Sequence, residues 1–221
     1  MAVTLAIGGA GGRYLHKTGA VRVFFPGDEE TGQRENTVII FTSDHGESLG
    51  DHGLMYKGCR FYEGLVRVPL IFSRPGRIEA SLQSDALVEM LDLSATLLDL
   101  AGVTIPDYFQ GATLLPILTG QAEAGHHRNF VRSEYFDALD PYFTGGTGTF
   151  ATMHRTRSHK LVVYHGKGVG ELFDLEQDPW EFDNLWDNPG AAAIKHRMLA
   201  ESFDAHVLLT TDVGSERIAP M

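Results

Sequence analysis

The sequence predicts an α/β fold: part of a mixed sheet with flanking helices, followed by a small antiparallel sheet and a carboxyl-terminal helix. Three observations predict it. Residues 37–41 form a continuous β-branched and aromatic run, residues 87–100 repeat leucine at helical spacing, and the strands expected between residues 130 and 174 alternate apolar and polar side chains. These patterns are typical of a buried strand, an amphipathic helix and an antiparallel sheet, respectively.

Size and charge narrow the classes of function. The chain has 221 residues, of which 43% are hydrophobic, enough for one large or two small domains. Its 29 acidic and 18 basic residues give a formal charge of −11, which repels nucleic acid and anionic membrane surfaces. We therefore expect neither as a partner, and an anionic substrate would need a local cation or lysine. A homo-oligomer stays open.

The amino terminus and the cysteine content favour a cytoplasmic protein. Cys59 is the only cysteine, so no internal disulfide can form. The first residues lack a basic start and contain several glycines, unlike a signal peptide. No apolar run approaches the roughly 20 residues that a membrane span needs.

The chain divides into three parts. Residues 1–28 are glycine-rich and almost patternless, which predicts an atypical segment that is flexible or foreign to the fold. Residues 29–125 predict the α/β part. Residues 126–221 predict a carboxyl-terminal subdomain with the small antiparallel sheet and the last helix.

The α/β part begins with the strand at 37–41, whose continuous apolar run is typical of a strand covered on both faces in a parallel sheet. If the chain is truncated, the parallel neighbours are lost and β-branched apolar surface is exposed. The elements expected after it are a strand at 68–72, a helix from Ser84 that ends at Gly102, and a short helix at 114–118.

The carboxyl-terminal subdomain changes to the period of a strand. The strands expected from alternation are 130–135, 150–155, 160–164 and 171–174. A helix over about 190–208 should cover one face of this sheet with a single apolar stripe. The stripe consists of Ile194, Met198, Leu199 and Phe203.

A repeated triplet after the first strand carries the candidate chemistry. Asp-His-Gly occurs twice in SDHGESLGDHG, residues 43–53. Asp44 offers a hard carboxylate and His45 a neutral imidazole at the carboxyl end of a buried strand, where open α/β sheets bind ligands. The pair can hold a divalent cation, but a complete site needs about four to seven donors, so other ligands must come from elsewhere.

A simpler interpretation competes at each of these positions. Asp and Gly are common after strands, so both copies of the triplet can be ordinary loop residues. This interpretation is favoured for Asp51 and His52, whereas the strand-end position favours a site at Asp44 and His45. Lys57 is either a solvated surface lysine or an ammonium donor for anionic oxygens.

The block ENTVIIFTSDHGESLGDHGLMYKGCRFYEGLVRVPLIF resembles the metal-binding strand and following loop of the sulfatases, within the alkaline-phosphatase-like superfamily. The resemblance continues through ALVEMLDLSATLLDLAGV and KLVVYHGKGVGELFDLEQDPWEFDNLW, and it covers residue 29 to the end. It implies part of an alkaline-phosphatase-like sheet, a divalent metal, usually Ca²⁺, on Asp44 and His45, and contact of Lys57 with sulfate oxygens. Phosphonate monoester hydrolases are similar in this loop and would imply Mn²⁺.

The resemblance implies hydrolysis of a small-molecule sulfate ester by a formylglycine hydrate, which is made from Cys or Ser in a C/S-x-P-S-R-type motif. In the family this motif and an Asp-Asp metal pair precede the metal strand, and this chain has neither there. Cys59 lies in GCRFYE, with Phe61 and Tyr62 where Pro and Ser are needed. We interpret it as a half-buried loop thiol.

We therefore expect the carboxyl-terminal part of a metal-dependent sulfatase, a sulfuric ester hydrolase that is truncated or frame-disrupted and inactive alone. Two alternatives stay open. One is a fragment of a phosphonate or phosphate ester hydrolase, and the other is a non-catalytic assembly module. The sequence does not specify the alcohol half of the substrate.

The remaining prominent residues receive structural interpretations. His126 and His127 are expected in a solvated loop. Glu63 and Arg67, four residues apart, are expected to pair and support the Lys57 loop. Trp180 and Trp186 are expected to pack at the contact between the two parts of the chain.

Overall fold

The computed structural model describes residues 31–137 and 148–210. The strands and α-helices in these ranges are β1 (Ile39–Thr42), α1 (Glu63–Val66), β2 (Leu70–Ser73), α2 (Leu91–Leu100), α3 (Leu115–Leu118), β3 (Val131–Phe136), β4 (Phe150–Arg155), β5 (His159–Tyr164), β6 (Val169–Asp174) and α4 (Ala192–Thr210). The mixed α/β class is confirmed. The atypical segment expected at 1–28 lies outside the described residues.

The first strand does not have the parallel neighbours that its sequence suggested. Within the described ranges, β1 pairs only with β2, antiparallel, with Ile39 opposite Ser73 and Thr42 opposite Leu70. Phe41 is 49% exposed. The antiparallel pairing corrects the parallel sheet that the pattern suggested, because an apolar run indicates burial but specifies neither the direction nor the identity of a neighbouring strand. The exposure of Phe41 is what we expected for a strand that lacks its parallel neighbours.

Helix α2 begins later than predicted and ends where predicted. Residues 84–89 lie outside any helix, because Ser84 donates to the Ala124 carbonyl and the Glu89 N–H donates to Asp92 Oδ2 (2.8 Å) instead of joining a helical ladder. At the other end, Gly102 has a φ of +71° and donates to Asp99 O (3.0 Å). This is the left-handed C-cap that the sequence indicated.

The carboxyl-terminal subdomain matches its prediction closely. Strands β3, β4, β5 and β6 form a four-stranded antiparallel sheet in sequence order. Helix α4 covers one face, with Met198 completely buried against Leu161 and Leu172. We expected Phe203 on the buried stripe, but it is 67% exposed, so this expectation was wrong. The helix stays beside the sheet at this point, because Ala205 is buried and His206 lies 3.2 Å from Arg132 of β3, so Phe203 lies on the solvent side of the helix.

Two apolar clusters lie in the separate parts and a third joins them. One contains Phe72, Leu114 and Leu118 beside the antiparallel β1–β2 pair, and another lies between the sheet and α4. The third packs Phe61, from the loop after β1, against Met153 and other residues of β4 and β5. The loop that carries Lys57 is therefore anchored on the carboxyl-terminal sheet.

The helices give no indication of a membrane span. Among those in residues 31–137 and 148–210, none combines the length and the apolarity that crossing a bilayer requires.

Candidate functional site

Asp44 lies just beyond the carboxyl end of β1 and presents its carboxylate to solvent. The side chain is 84% exposed. Its Oδ1 accepts hydrogen bonds from the His45 backbone N–H (2.9 Å) and the Ser43 hydroxyl (3.4 Å). The His45 N–H is the main cause that lowers the pKa of Asp44 below its ordinary value. The carboxylate is therefore ionised at neutral pH and accessible to a cation.

His45 is held with one ring nitrogen toward the backbone and the other toward Lys57. Nδ1 lies 2.6 Å from the Gly46 carbonyl, which can only accept, so Nδ1 carries the proton. Nε2 is then the nitrogen with a lone pair, and it accepts from the Lys57 ammonium at 2.8 Å. The geometry thus selects the neutral tautomer that ligates metals through Nε2.

The three residues singled out by sequence are therefore close together. Asp44 Oδ2 lies 3.7 Å from His45 Nε2, the same nitrogen that Lys57 contacts. The second triplet has a different environment: Asp51–Gly53 is a 3-10 turn, and the His52 ring stacks on Tyr62 with centroids 3.8 Å apart. Packing accounts for that copy, as the loop interpretation proposed.

Asp44, His45 and Lys57 line a cleft of about 840 Å³ whose walls come from both parts of the chain. Its walls carry six cationic and five acidic side chains, so the charge along the cleft is close to balanced although the whole chain carries a charge of −11. The cations are Lys57, Arg60, Arg67, Arg132, Arg155 and Arg157. Four of these cations pair with acidic side chains of the same walls, Arg67 and Arg155 with Glu63, Arg132 with Glu134 and Arg157 with Asp85, whereas Lys57 contacts His45.

A buried ionic cluster lies behind this cleft. Lys160 is completely buried, and its Nζ lies 2.7 Å from both Glu63 Oε1 and Glu181 Oε1. Arg155 donates to both oxygens of Glu63 at 3.0 and 3.2 Å. Burial acts to raise the pKa of Glu63, but Lys160 and Arg155 outweigh it and lower the pKa to about 2.

Glu63 also pairs with Arg67, as the sequence predicted, at 3.4 Å. That pair is the outer edge of the cluster. Lys160, Arg155 and Glu181 were not identified from sequence, because a lysine in the alternating run KLVVY has the pattern of a solvent-facing strand residue. A completely buried lysine gives no distinguishing signal in a single sequence.

Three structural interpretations need correction or refinement. His126 is exposed as expected, but His127 is not solvated: its side chain is 9% exposed and Nε2 lies 3.3 Å from the buried Asp92. Trp186 packs between the sheet and α4, not between the two parts of the chain, and Trp180 is 53% exposed. Loop and packing partners distant in sequence decided these environments.

Among the described residues, neither Cys59 nor the C/S-x-P-S-R-like stretch at the end of β2 provides a nucleophile at the Asp44 site. Cys59 is a partly buried free thiol, as expected. Ser73-Arg74-Pro75-Gly76-Arg77 shares Ser, Pro and Arg with the C/S-x-P-S-R pattern, but has Gly at its fourth position. Ser73 is opposite Ile39, at the end of the β1–β2 pair that is far from Asp44, and it accepts a hydrogen bond from Arg34. It does not line the cleft.

The described residues bring together at most two potential metal ligands. Between 31–137 and 148–210, no three His, Cys, Asp or Glu side chains form a group that could hold a metal ion. Asp44 and His45 fit the chemistry of a divalent ion, and further donors must be supplied from elsewhere.

The fold and this site define an α/β protein of the alkaline-phosphatase-like class. A phosphonate monoester hydrolase from Silicibacter pomeroyi superposes with a TM-score of 0.75 and 29% identity, covering 89% of this chain and 39% of that chain. A protein solved in complex with its substrate D-glucosamine-2-N,6-O-disulfate superposes with a TM-score of 0.73 and 27% identity, covering 90% and 39%.

Sequence comparison identifies the family. The model for "N-sulphoglucosamine sulphohydrolase, C-terminal" matches residues 50–206, so the chain belongs to the sulfatase family. The Δ4,5-hexuronate-2-O-sulfatase of Bacteroides thetaiotaomicron is 32% identical over 172 residues, 76% of this chain and 34% of that enzyme. The N-acetylglucosamine-6-O-sulfatase of the same organism is 34% identical over 163 residues, 72% and 28%. The chain thus spans about a third of the length of these relatives.

Proposed function

We propose that this chain supplies the metal-strand part of a sulfuric ester hydrolase site, in which Asp44 and His45 bind a divalent ion, most favourably Ca²⁺, and Lys57 contacts the sulfate oxygens. The observation that carries the proposal is the meeting of the three side chains at the wall of the cleft, where His45 Nε2 lies 3.7 Å from Asp44 Oδ2 and 2.8 Å from Lys57 Nζ. Membership of the sulfatase family supports it.

The Asp44 and His45 side chains present an ionised carboxylate and a ring nitrogen that suit a divalent metal. Asp44 is ionised and exposed, and Nδ1 of His45 donates to the Gly46 carbonyl, so Nε2 is the ring nitrogen that faces the Asp44 carboxylate and is available to a ligand. When bound, a divalent ion would stabilise negative charge on a sulfate oxygen. Lys57 would supply a second positive charge beside it, since an ammonium on a flexible stem can move from His45 to an anionic oxygen.

The substrate proposed is a small molecule with a sulfate ester. Relatives named for the removal of 2-O- and 6-O-sulfate groups from sugars support this class. The 221 residues contain no C/S-x-P-S-R motif, so the formylglycine nucleophile of the resemblance does not fit them. We therefore expect no turnover from this chain alone.

Metal binding provides the direct test. Ca²⁺ titrated into the ¹⁵N-labelled protein should shift the amide resonances of residues 44–46 with a dissociation constant of about 10⁻⁴–10⁻³ M, because two protein ligands leave most of the shell to water. Asp44→Asn should abolish the shifts. Asp51→Asn, the same change in the second triplet, is the matched control and should leave them intact. Submicromolar affinity, or equal loss in both variants, would contradict the proposal.

A phosphonate ester hydrolase is the second candidate, favoured by the superposition on the Silicibacter pomeroyi enzyme. The two candidates differ in the anion and the metal that the site prefers. Sulfate and methylphosphonate titrations, each with Ca²⁺ and with Mn²⁺, should separate them: preference for sulfate with Ca²⁺ supports the sulfatase, and preference for methylphosphonate with Mn²⁺ supports the alternative. Lys57→Met should weaken whichever anion binds.

A further inference from the structure

We propose that Lys160, with Glu181, is a positioning residue that fixes His45 and Lys57 through helix α1. This inference deepens the proposed function, because His45 and Lys57 are its site residues. Lys160 touches neither of them. It acts through the four-residue helix α1, Glu63–Val66, which lies between the buried cluster and the end of β1.

The Lys160 ammonium lies close to three oxygens, two of which belong to residues 61–63. Nζ contacts Glu63 Oε1 and Glu181 Oε1, each at 2.7 Å, and donates to the Phe61 carbonyl at 2.8 Å. Glu181 Oε2 in turn accepts the Glu63 backbone N–H at 2.6 Å. Side chain and backbone at the start of α1 are thus both held.

Helix α1 transmits this position to His45 through a close backbone contact. The Gly46 N–H donates to the Leu65 carbonyl at 2.7 Å. A Cβ at Gly46 would lie only 1.9 Å from the Gly64 carbonyl oxygen, so the two segments are as near as backbones can be. Gly46 also supplies the carbonyl that fixes the His45 tautomer. A shift of α1 would therefore shift the His45 ring.

A second set of contacts with the carboxyl-terminal sheet fixes the loop on the Lys57 side. Arg60, three residues after Lys57, donates to Tyr164 Oη (3.2 Å) and to Glu171 Oε1 (3.4 Å). Phe61 packs on the buried face of β4 and β5. Lys57 is thus held from its carboxyl-terminal side by the same sheet that holds α1.

Stability alone is a poor reason for a lysine at this position. A buried ion pair seldom stabilises a protein more than well-packed apolar residues do, since desolvation offsets the attraction. What the ionic cluster provides is direction: each carboxylate and carbonyl oxygen must meet Lys160 at a hydrogen-bond distance, which an apolar contact does not require. This directional requirement can fix the loop that carries the candidate site.

The test compares Lys160→Met with Met198→Ala in the whole chain. Met198 is equally buried but packs on the α4 side of the sheet and lies in a different cluster from Phe61. Long-range ¹H–¹⁵N spectra of the histidine rings, recorded at fixed pH on folded protein, report the His45 tautomer. His45→Gln identifies the signal. Neither metal nor turnover is needed, so a failure of the proposed function leaves this measurement unaffected.

We expect Lys160→Met to lose the fixed Nδ1–H pattern of His45 and give an averaged pair of ring nitrogens, while Met198→Ala keeps it even though it lowers the melting temperature. An unchanged His45 signal in folded Lys160→Met would overturn the proposal. So would an equal change in Met198→Ala, which would indicate general loosening. If Lys160→Met does not fold, Glu181→Gln carries the same comparison with the same two outcomes.

Discussion

Strand β1 and the carboxyl-terminal sheet differ in burial, and the difference separates chemistry from support. Phe41 of β1 is 49% exposed, and the candidate residues follow at the open end of that strand. In the sheet, Leu161, Val162 and Leu172 are completely buried. The residues that would bind ligands are therefore on the less buried region, and their geometry is imposed by the more buried one through α1. Four predictions break or sharpen this comparison.

The largest effect is expected in the buried region. Met198→Ala should lower the free energy of unfolding by about 4 kcal/mol, because a completely buried methionine leaves a cavity between the sheet and α4. Phe203→Ala on the same helix should cost less than about 0.5 kcal/mol, since that ring is mostly exposed. Urea denaturation measures both. Similar values for the two variants would contradict the burial pattern.

Acid should break the link between the regions. The pKa of Glu63 falls from its ordinary value of 4.5 to about 2 on folding, so its contribution is complete above pH 4.5 and is lost as the pH falls toward 2. The shift corresponds to about 3 kcal/mol. Denaturation of wild type and Glu63→Gln across this window measures the difference.

The pH window distinguishes Glu63 from carboxyl groups that act in the opposite direction. Burial raises the pKa of Glu89 and Glu171 above 4.5. Ionisation of either group therefore lowers the free energy of unfolding, and this loss develops as the pH rises above 4.5. A stability difference between wild type and Glu63→Gln that stays constant from pH 4.5 to 2 would argue against the ionic cluster.

A smaller effect on stability, but a large one on the site, is expected from Gly46→Ala. Its Cβ would collide with the Gly64 carbonyl oxygen at 1.9 Å, and backbone must move to accept it. We expect a loss of about 2 kcal/mol and loss of the His45 ring pattern by NMR. Gly64→Ala is the matched control: its Cβ meets only Asp51 Oδ2, at 3.7 Å, and Ala favours a helix. Equal effects of both variants would refute the close approach.

The smallest effect is expected at the surface of the cleft. Arg157 pairs with Asp85 at 3.0 Å, but both side chains are more than half exposed. Asp85→Asn should change the free energy of unfolding by less than about 1 kcal/mol, and the change should shrink in 1 M NaCl. A larger loss that salt does not reduce would show that this pair belongs to the buried support.

The sequence was informative where a pattern is local. Alternation predicted β3 to β6, Gly102 predicted the end of α2, and the position of Asp44 and His45 after an apolar run predicted a strand-end site. Local pattern was uninformative where a distant partner decides the environment. Residues 84–89 continue the helical spacing, yet Ser84 is bound to Ala124 instead. His127 has the sequence context of a loop, yet it faces Asp92.

The sequence by itself determined the order of the elements, the small antiparallel sheet and the identity of the three candidate residues, because periodicity and short motifs are encoded by adjacent positions. Only the tertiary structure decided that β1 pairs antiparallel with β2, that Lys57 meets His45 Nε2, and that Lys160 is buried between Glu63 and Glu181. These contacts join residues far apart in the chain. Their free energy depends on desolvation and packing, which no single stretch of sequence specifies.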